Sequence, residues 1–307
     1  MIKPATGSFA WQGRRCLVTG ARGFIGSALC AELRRAGAEV HGLSRENGAP
    51  DLVDQWHTGD VADEAIVQAA FSAVRPDTVF HLAATVSGSR DIALVMPTLR
   101  GILGGTVNVL LAAAANRSRR VVCLGSLQEP DDQIRGAPPS PYAAAKFAAS
   151  AYARMFCEVF AVPVSIGRPF MAYGAGQTDM TKVVPHVASK VLNGGSAELS
   201  SGRQAFDWVY VDDVVAALLA IASRDETIGA TVDIGCGVLT PVREVAMGIA
   251  RRVGRPEALH FGALPDRKLE PTRCADVEAA ARLTGWRPRV TLEQGLDLAL
   301  QWYRRHL

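Results

Sequence analysis

The chain has 307 residues, of which 49% are hydrophobic and 21% charged, with a formal net charge of +3. That balance excludes wholesale disorder, and so small and dispersed a charge leaves no footprint for nucleic acid. The six cysteines, at 16, 30, 123, 157, 236 and 274, form no C-x-x-C pair, which favours free thiols in a reducing cytoplasm over disulfides or zinc.

In chain order, Arg15–Thr19 reads as a first strand and 24–36 as the helix after it, stopped by Gly37. Residues 39–43 and 78–83 read as strands, Gly105–Asn116 as an Ala-rich helix and 119–124 as a strand. Pro141–Phe160 is a long helix, with Ser140 as N-cap and Pro141 at its first position, and 162–167 is the next strand. Continuous apolar strands separated by helices predict a parallel sheet covered on both faces and, with right-handed crossovers, a doubly wound α/β fold. Residues 171–206 are rich in Gly, Ser and Thr. The stretch 209–223 reads as helix, 230–235 as a short strand, 241–253 as an amphipathic helix, 262–273 as turns and 292–305 as a last helix. No apolar run of membrane length and no signal-type N-terminal region are read, so a soluble, cytoplasmic chain is expected.

The segment Thr19-Gly20-Ala21-Arg22-Gly23-Phe24-Ile25-Gly26 joins the first strand to the first helix. Its G-x-x-G-x-x-G spacing suits a dinucleotide: one glycine for the tight turn, one for close approach of a pyrophosphate, one for helix–strand packing. At the end of the second strand, Ser44 stands where an acidic residue would select NAD, and Arg45 follows it. Arg22 and Arg45 suit a 2′-phosphate through paired N–H···O contacts, which favours NADP. With both guanidiniums in solvent, Ser44 leaves NAD open. Asp60 and Val61 follow an apolar stretch where an adenine could lie, or Asp60 is a helix N-cap before Ala62.

Tyr142 and Lys146 are four residues apart, hence on one helix face. An ammonium beside the phenol would stabilise the phenolate and lower its pKa towards working pH. Ser126 follows a strand, at the sheet edge where ligands of open α/β folds bind. A Ser/Tyr/Lys set beside a dinucleotide loop points to carbonyl–alcohol redox by hydride transfer.

The motifs TGARGFIG (19–26), GDVAD (59–63), HLAA (81–84), LGS (124–126), SPYAAAK (140–146), GRPFMAYGAGQ (167–177), FDWVYVDDVVAA (206–217) and LTGWRP (283–288) run nearly the length of the chain. In this order they resemble the extended short-chain dehydrogenase/reductases, of the NAD(P)-dependent epimerase/dehydratase type. The resemblance implies a Rossmann-type doubly wound parallel sheet with a smaller C-terminal substrate-binding lobe. It assigns 1–170 plus 207–236 to the cofactor domain and 171–206 plus 237–307 to the lobe. It implies Tyr142 as acid/base, Lys146 on the nicotinamide ribose and Ser126 on the substrate oxygen. Leu82, Ala83, Ala84 and Pro169 would line the cofactor pocket. It also implies a homodimer built through the helices near 100–116 and 142–160.

Many members of that family act on nucleotide-diphosphate sugars. Three positions depart from their pattern: Met171 for a frequent Asn, Phe206 for an Arg that commonly pairs with a substrate phosphate, and Ile102 for an Asn near the cofactor. Candidate substrate contacts are Ser87, Ser126, Met171, Arg203 and Arg267. His81 reads as packing rather than as a general base, and Asp212-Asp213 lack a third partner at metal-ligand spacing. A 4,6-dehydratase is disfavoured, because that reaction in the family uses an Asp-Glu pair where Leu127-Gln128 stand here. The expectation is an NADPH-dependent reductase of a 4-keto-6-deoxysugar nucleotide. The alternatives are a 4-epimerase, a reductase of a smaller carbonyl compound, and an NADP-binding sensor or scaffold without turnover.

Overall fold

The computed structural model describes residues 11–85, 89–130, 136–266 and 272–307. β1 (Arg15–Thr19) runs into a glycine turn and then α1 (Phe24–Arg35). β2 (Glu39–Ser44) and β3 (Gln55–Thr58) build outward from β1, and α2 (Glu64–Val74) carries the chain back. β4 (Thr78–His81) pairs on the other side of β1. α3 (Val95–Thr98), a π-helical stretch Leu99–Gly104 and α4 (Gly105–Asn116) then lead to β5 (Arg120–Leu124). α5 (Pro141–Phe160), capped as expected by Ser140 on the Ala143 amide, leads to β6 (Val164–Pro169).

The remaining elements interleave. β7 (Met171–Tyr173), α6 (Val183–Leu192), β8 (Ala197–Leu199) and β9 (Ala205–Tyr210) precede α7 (Val211–Ala222) and β10 (Thr231–Ile234). β11 (Leu239–Pro241), α8 (Val242–Val253), β12 (Leu259–Phe261), α9 (Val277–Thr284) and α10 (Leu292–His306) close the chain.

The main sheet has the order β10-β6-β5-β4-β1-β2-β3 with every pairing parallel. This is the expected Rossmann-type sheet, and its order reverses between β1 and β4, where a crevice opens at the strands' carboxyl ends. One face is covered by α1 and α7, with Leu29, Leu33, Leu218 and Ile221 fully buried. The other lies under α2, α4 and α5, through Val67, Phe71, Leu110 and Phe156. Each such side chain contributes about 1.5–3 kcal/mol by leaving water. A third core packs the small sheet β11-β9-β7 against α6, α8 and α10, around Tyr173, Trp208, Tyr210, Val245 and Tyr303.

One expectation needs correcting, and two further helical stretches stand out. The apolar run 209–223 is not all helix: Val209 and Tyr210 end β9, paired with β7, and the helix starts at Val211. No Gly or Pro separates the two elements, and the mark of the helix start is the acidic pair Asp212-Asp213 in its first turn, which suits the dipole. Residues 171–206 hold a regular helix, α6, whose Pro185 sits in the first turn, where its missing N–H disrupts nothing. The helical run Ile92–Asn116, at 25 residues, is long and apolar enough to cross a membrane by length and composition. One side of it, with Ile102, Val109, Leu110 and Ala113, is buried in the protein. All six cysteines are free thiols, and only Cys274 is exposed.

Candidate active site

The crevice is a single cleft of about 1900 Å³ running from the glycine turn to the small sheet. Gly20 has φ +70°, and a Cβ there would stand 2.8 Å from the Ala83 amide nitrogen. A Cβ on Gly26 would lie 2.1 Å from the Gly20 carbonyl oxygen, so α1 reaches β1 only with glycine there. Gly23 is the N-cap of α1, and no side chain caps it. The amides of Phe24, Ile25 and Gly26 therefore open on the cleft at the positive end of the helix dipole, a geometry that fits a pyrophosphate.

Beyond the loop, Ser44 accepts the Arg22 amide at 3.3 Å, and Arg45 lines the cleft exposed. The Arg22 guanidinium is paired with Glu46, an acidic neighbour that the motif reading passed over. Val61, Leu82, Ala83, Ala84 and Pro169 line the same half of the cleft. Asp60 also lines it, and its carboxylate accepts the Ala62 amide at 2.9 Å. The N-cap of α2 is Asp63 rather than Asp60.

His81 is buried at the end of β4. Its Nδ1 meets Thr19 Oγ1 at 2.8 Å and its Nε2 meets Thr106 Oγ1 at 3.0 Å. The Thr106 hydroxyl donates to the Ile102 carbonyl, so it accepts from Nε2–H, and Thr19 then donates to Nδ1. Burial, and secondarily the Lys146 charge, pushes the imidazole down to about 3. His81 is thus a neutral pin between β1, β4 and α4.

Ser126 lies in the turn after β5 and Tyr142 in the first turn of α5; both line the cleft, and their hydroxyls are hydrogen-bonded. Lys146 does not line it. The ammonium is buried one helical turn deeper, donating to the Leu124 carbonyl at 2.5 Å. The expected lowering of the Tyr142 pKa is therefore not what this state shows. Burial pushes the phenol up to about 12; the Ser126 bond opposes this, and the Glu129 charge adds to it. Burial lowers the Lys146 pKa, while the facing Glu129 carboxylate raises it.

The far wall is formed by the small sheet and its loops. Met171 and Phe206 line it, with Phe206 edge-on to Trp208 at 6.1 Å. Arg203 is exposed there, its Nε on Ser201 Oγ at 3.3 Å and its Nη2 at 3.8 Å from Asp266. Ser87 and Arg267 lie outside the described residues. Among the described residues no group of three or more His, Cys, Asp or Glu is placed to hold a metal. The Asp213 oxygens accept the amides of Arg289 and Val290.

Residues 16–235 match the NAD-dependent epimerase/dehydratase family. The chain belongs to that family. It is an enzyme of the extended short-chain dehydrogenase/reductase type. Similar relatives include a UDP-glucose 4-epimerase of Mycolicibacterium smegmatis, 29% identical across 94% of this chain and 98% of the relative. A dTDP-4-dehydro-6-deoxy-D-allose reductase of a Streptomyces species is 28% identical across 96% and 98%. Among solved structures, a Thermotoga maritima UDP-glucose 4-epimerase with UDP-glucose superposes with a TM-score of 0.86 at 25% identity, covering 95% of this chain and 99% of that one.

Membership in this family makes the site's unpredicted residues informative. Reading by motif missed Glu46, Arg100 and Lys182, which line the cleft, and Glu129, buried behind Ser126. Glu46 was within reach of sequence reasoning, because it stands two residues past the position that sorts NAD from NADP. Glu129 was not, because only tertiary packing sets it against α5.

Proposed function

We propose that this chain is an NADPH-dependent reductase of a nucleotide-diphosphate sugar, acting at the C4 carbonyl of a 4-keto-6-deoxysugar. The observation that carries the reading is the Ser126–Tyr142 pair in the cleft between the glycine turn and the small sheet, with Tyr142 held as a phenol. Bound NADPH would supply a hydride to the carbonyl carbon. The Ser126 and Tyr142 hydroxyls donate to the carbonyl oxygen, and Tyr142 gives up its proton as that oxygen becomes an alcohol. Lys146 then faces a phenolate in place of a phenol, and its charge stabilises that product state.

Arg22, in the glycine turn, and Arg45, just past β2, flank the place a 2′-phosphate would take, and we propose that the phosphate takes Arg22 from Glu46. Two guanidiniums against one carboxylate leave the mouth cationic, which favours NADP over NAD. We further propose a homodimer through α3, α4 and α5. Ile92, Met96 and Leu99 on one side, and Phe147 and Tyr152 on α5, form its exposed apolar face.

The 4-epimerase is the second reading, favoured by the 29% identical relative. Mass spectrometry of products from a panel of nucleotide sugars and 4-keto sugars separates the two. A product heavier by two hydrogens, made only with NADPH, is the expected result. An isobaric product without net cofactor use would establish the epimerase instead. No turnover of any nucleotide sugar would favour a smaller carbonyl substrate, which the apolar Met171 and Phe206 wall suits.

A further inference from the structure

Glu129 lies three residues past Ser126 and is 4% exposed. Its Oε1 accepts the Ser126 amide at 2.6 Å, and its carboxylate is also hydrogen-bonded to Ser150. Tyr142, Lys146 and Ser150 follow one another at intervals of four on α5, so the carboxylate faces the stripe that carries the acid–base pair. The backbone is shaped around it. A Cβ on Gly125 would stand 2.9 Å from Oε1. The Glu129 amide donates to the Ser126 carbonyl at 3.1 Å, and Arg273 donates to the Glu129 carbonyl at 3.0 Å.

The charged and titratable groups facing the carboxylate are Lys146 and Tyr142 from α5, and Arg168 from β6. Arg168 is itself paired with Asp233 on β10 at 2.6 Å. Lys146 additionally faces Cys123 on β5 and His81 on β4. Buried charges cost desolvation, and apolar replacements are often neutral or stabilising, so stability alone is a poor reason for a carboxylate here.

We infer that Glu129 is a positioning residue that biases the charge state of the site: its carboxylate favours the ammonium of Lys146 and adds to burial in holding Tyr142 as a phenol, so the resting enzyme is poised to give a proton to a carbonyl. An anion beside a phenol destabilises the phenolate, and the same anion beside an ammonium stabilises the cation. The two effects share a sign, since both raise the pH at which a proton leaves. Burial also raises the pKa of Glu129 above the usual carboxylate range, against the pull of Ser150, Lys146, Ser126 and Arg168. When Glu129 takes a proton at low pH, the effect is lost. This inference rests on the reductase reading for its consequence, but not for its test.

The test is a titration of isotope-labelled tyrosine by NMR, with the Tyr142 Cζ resonance assigned from its loss in Tyr142→Phe. Glu129→Gln keeps the shape and removes the charge. It should lower the Tyr142 midpoint by up to about 1 pH unit. In carbonyl reduction the alkaline limb of kcat should move down with it. An unchanged Tyr142 midpoint overturns the inference and leaves the reductase reading standing. Turnover surviving in Tyr142→Phe overturns the acid/base reading, while the resonance still judges Glu129. If Glu129→Gln does not fold, Ser150→Ala decides. Losing that hydrogen bond should raise the midpoint of the Glu129 Cδ resonance, and no movement would count against the network.

Discussion

The two walls of the cleft are built by opposite means. On the sheet side the glycine turn offers backbone: the open amides of α1, a positive φ at Gly20, and approaches at Gly20 and Gly26 too close for a Cβ. On the small-sheet side the lining groups are side chains: Met171, Phe206, and an exposed Arg203 that meets Ser201 and Asp266. Backbone geometry survives substitution at most positions, and side-chain chemistry does not. The first wall can therefore be kept by unlike sequences, whereas the second depends on the particular side chains it carries.

The largest effect should come where the walls meet. Tyr142→Phe should cut turnover by about 10²- to 10⁴-fold while NADPH affinity, a property of the sheet side, stays within about twofold. Kinetics with a parallel binding titration check both halves of that statement. On the sheet side, the double variant Arg22→Ala/Arg45→Ala should lower NADPH affinity roughly tenfold and leave NADH nearly untouched. Equal losses for both cofactors would remove the 2′-phosphate assignment.

The buried pin behind that wall is also pH-sensitive. His81 is neutral in the fold, its pKa pushed down to about 3 from the ordinary 6.5, so the unfolded chain binds more protons between those values. Stability from this group is present above about pH 6.5 and is lost progressively towards pH 3. Melting temperatures across that range should fall with pH, and less steeply in His81→Gln. The smallest effect belongs to the substrate wall. Phe206→Arg should tighten binding of a bare nucleoside diphosphate a few-fold, read by calorimetry. It should leave NADPH binding unchanged.

The same contrast explains what the amino-acid order disclosed. Arg15–Thr19, Gly105–Asn116 and Pro141–Phe160 are read to the residue, because glycine turns, a proline at the first helical position and a serine cap are local signals. The glycine turn, Ser126 and Tyr142 converge on one cleft because the parallel topology dictates that edge. The strand-to-helix junction at Tyr210–Val211 escaped because two apolar periods meet there without punctuation. Lys146 turned to the Leu124 carbonyl, and Glu129 behind Ser126, escaped for another reason. The first depends on a carbonyl 22 positions away, and the second on how the turn after β5 packs against α5, which a local pattern does not contain.

The most direct test of the central claim is one turnover with NADPH deuterated at the transferred position of C4 and a 4-keto-6-deoxysugar nucleotide. The expected result is one deuterium on the sugar C4 for each NADPH oxidised, formed at least about 10²-fold more slowly with Tyr142→Phe. A product free of deuterium, or one formed without consuming NADPH, would contradict it.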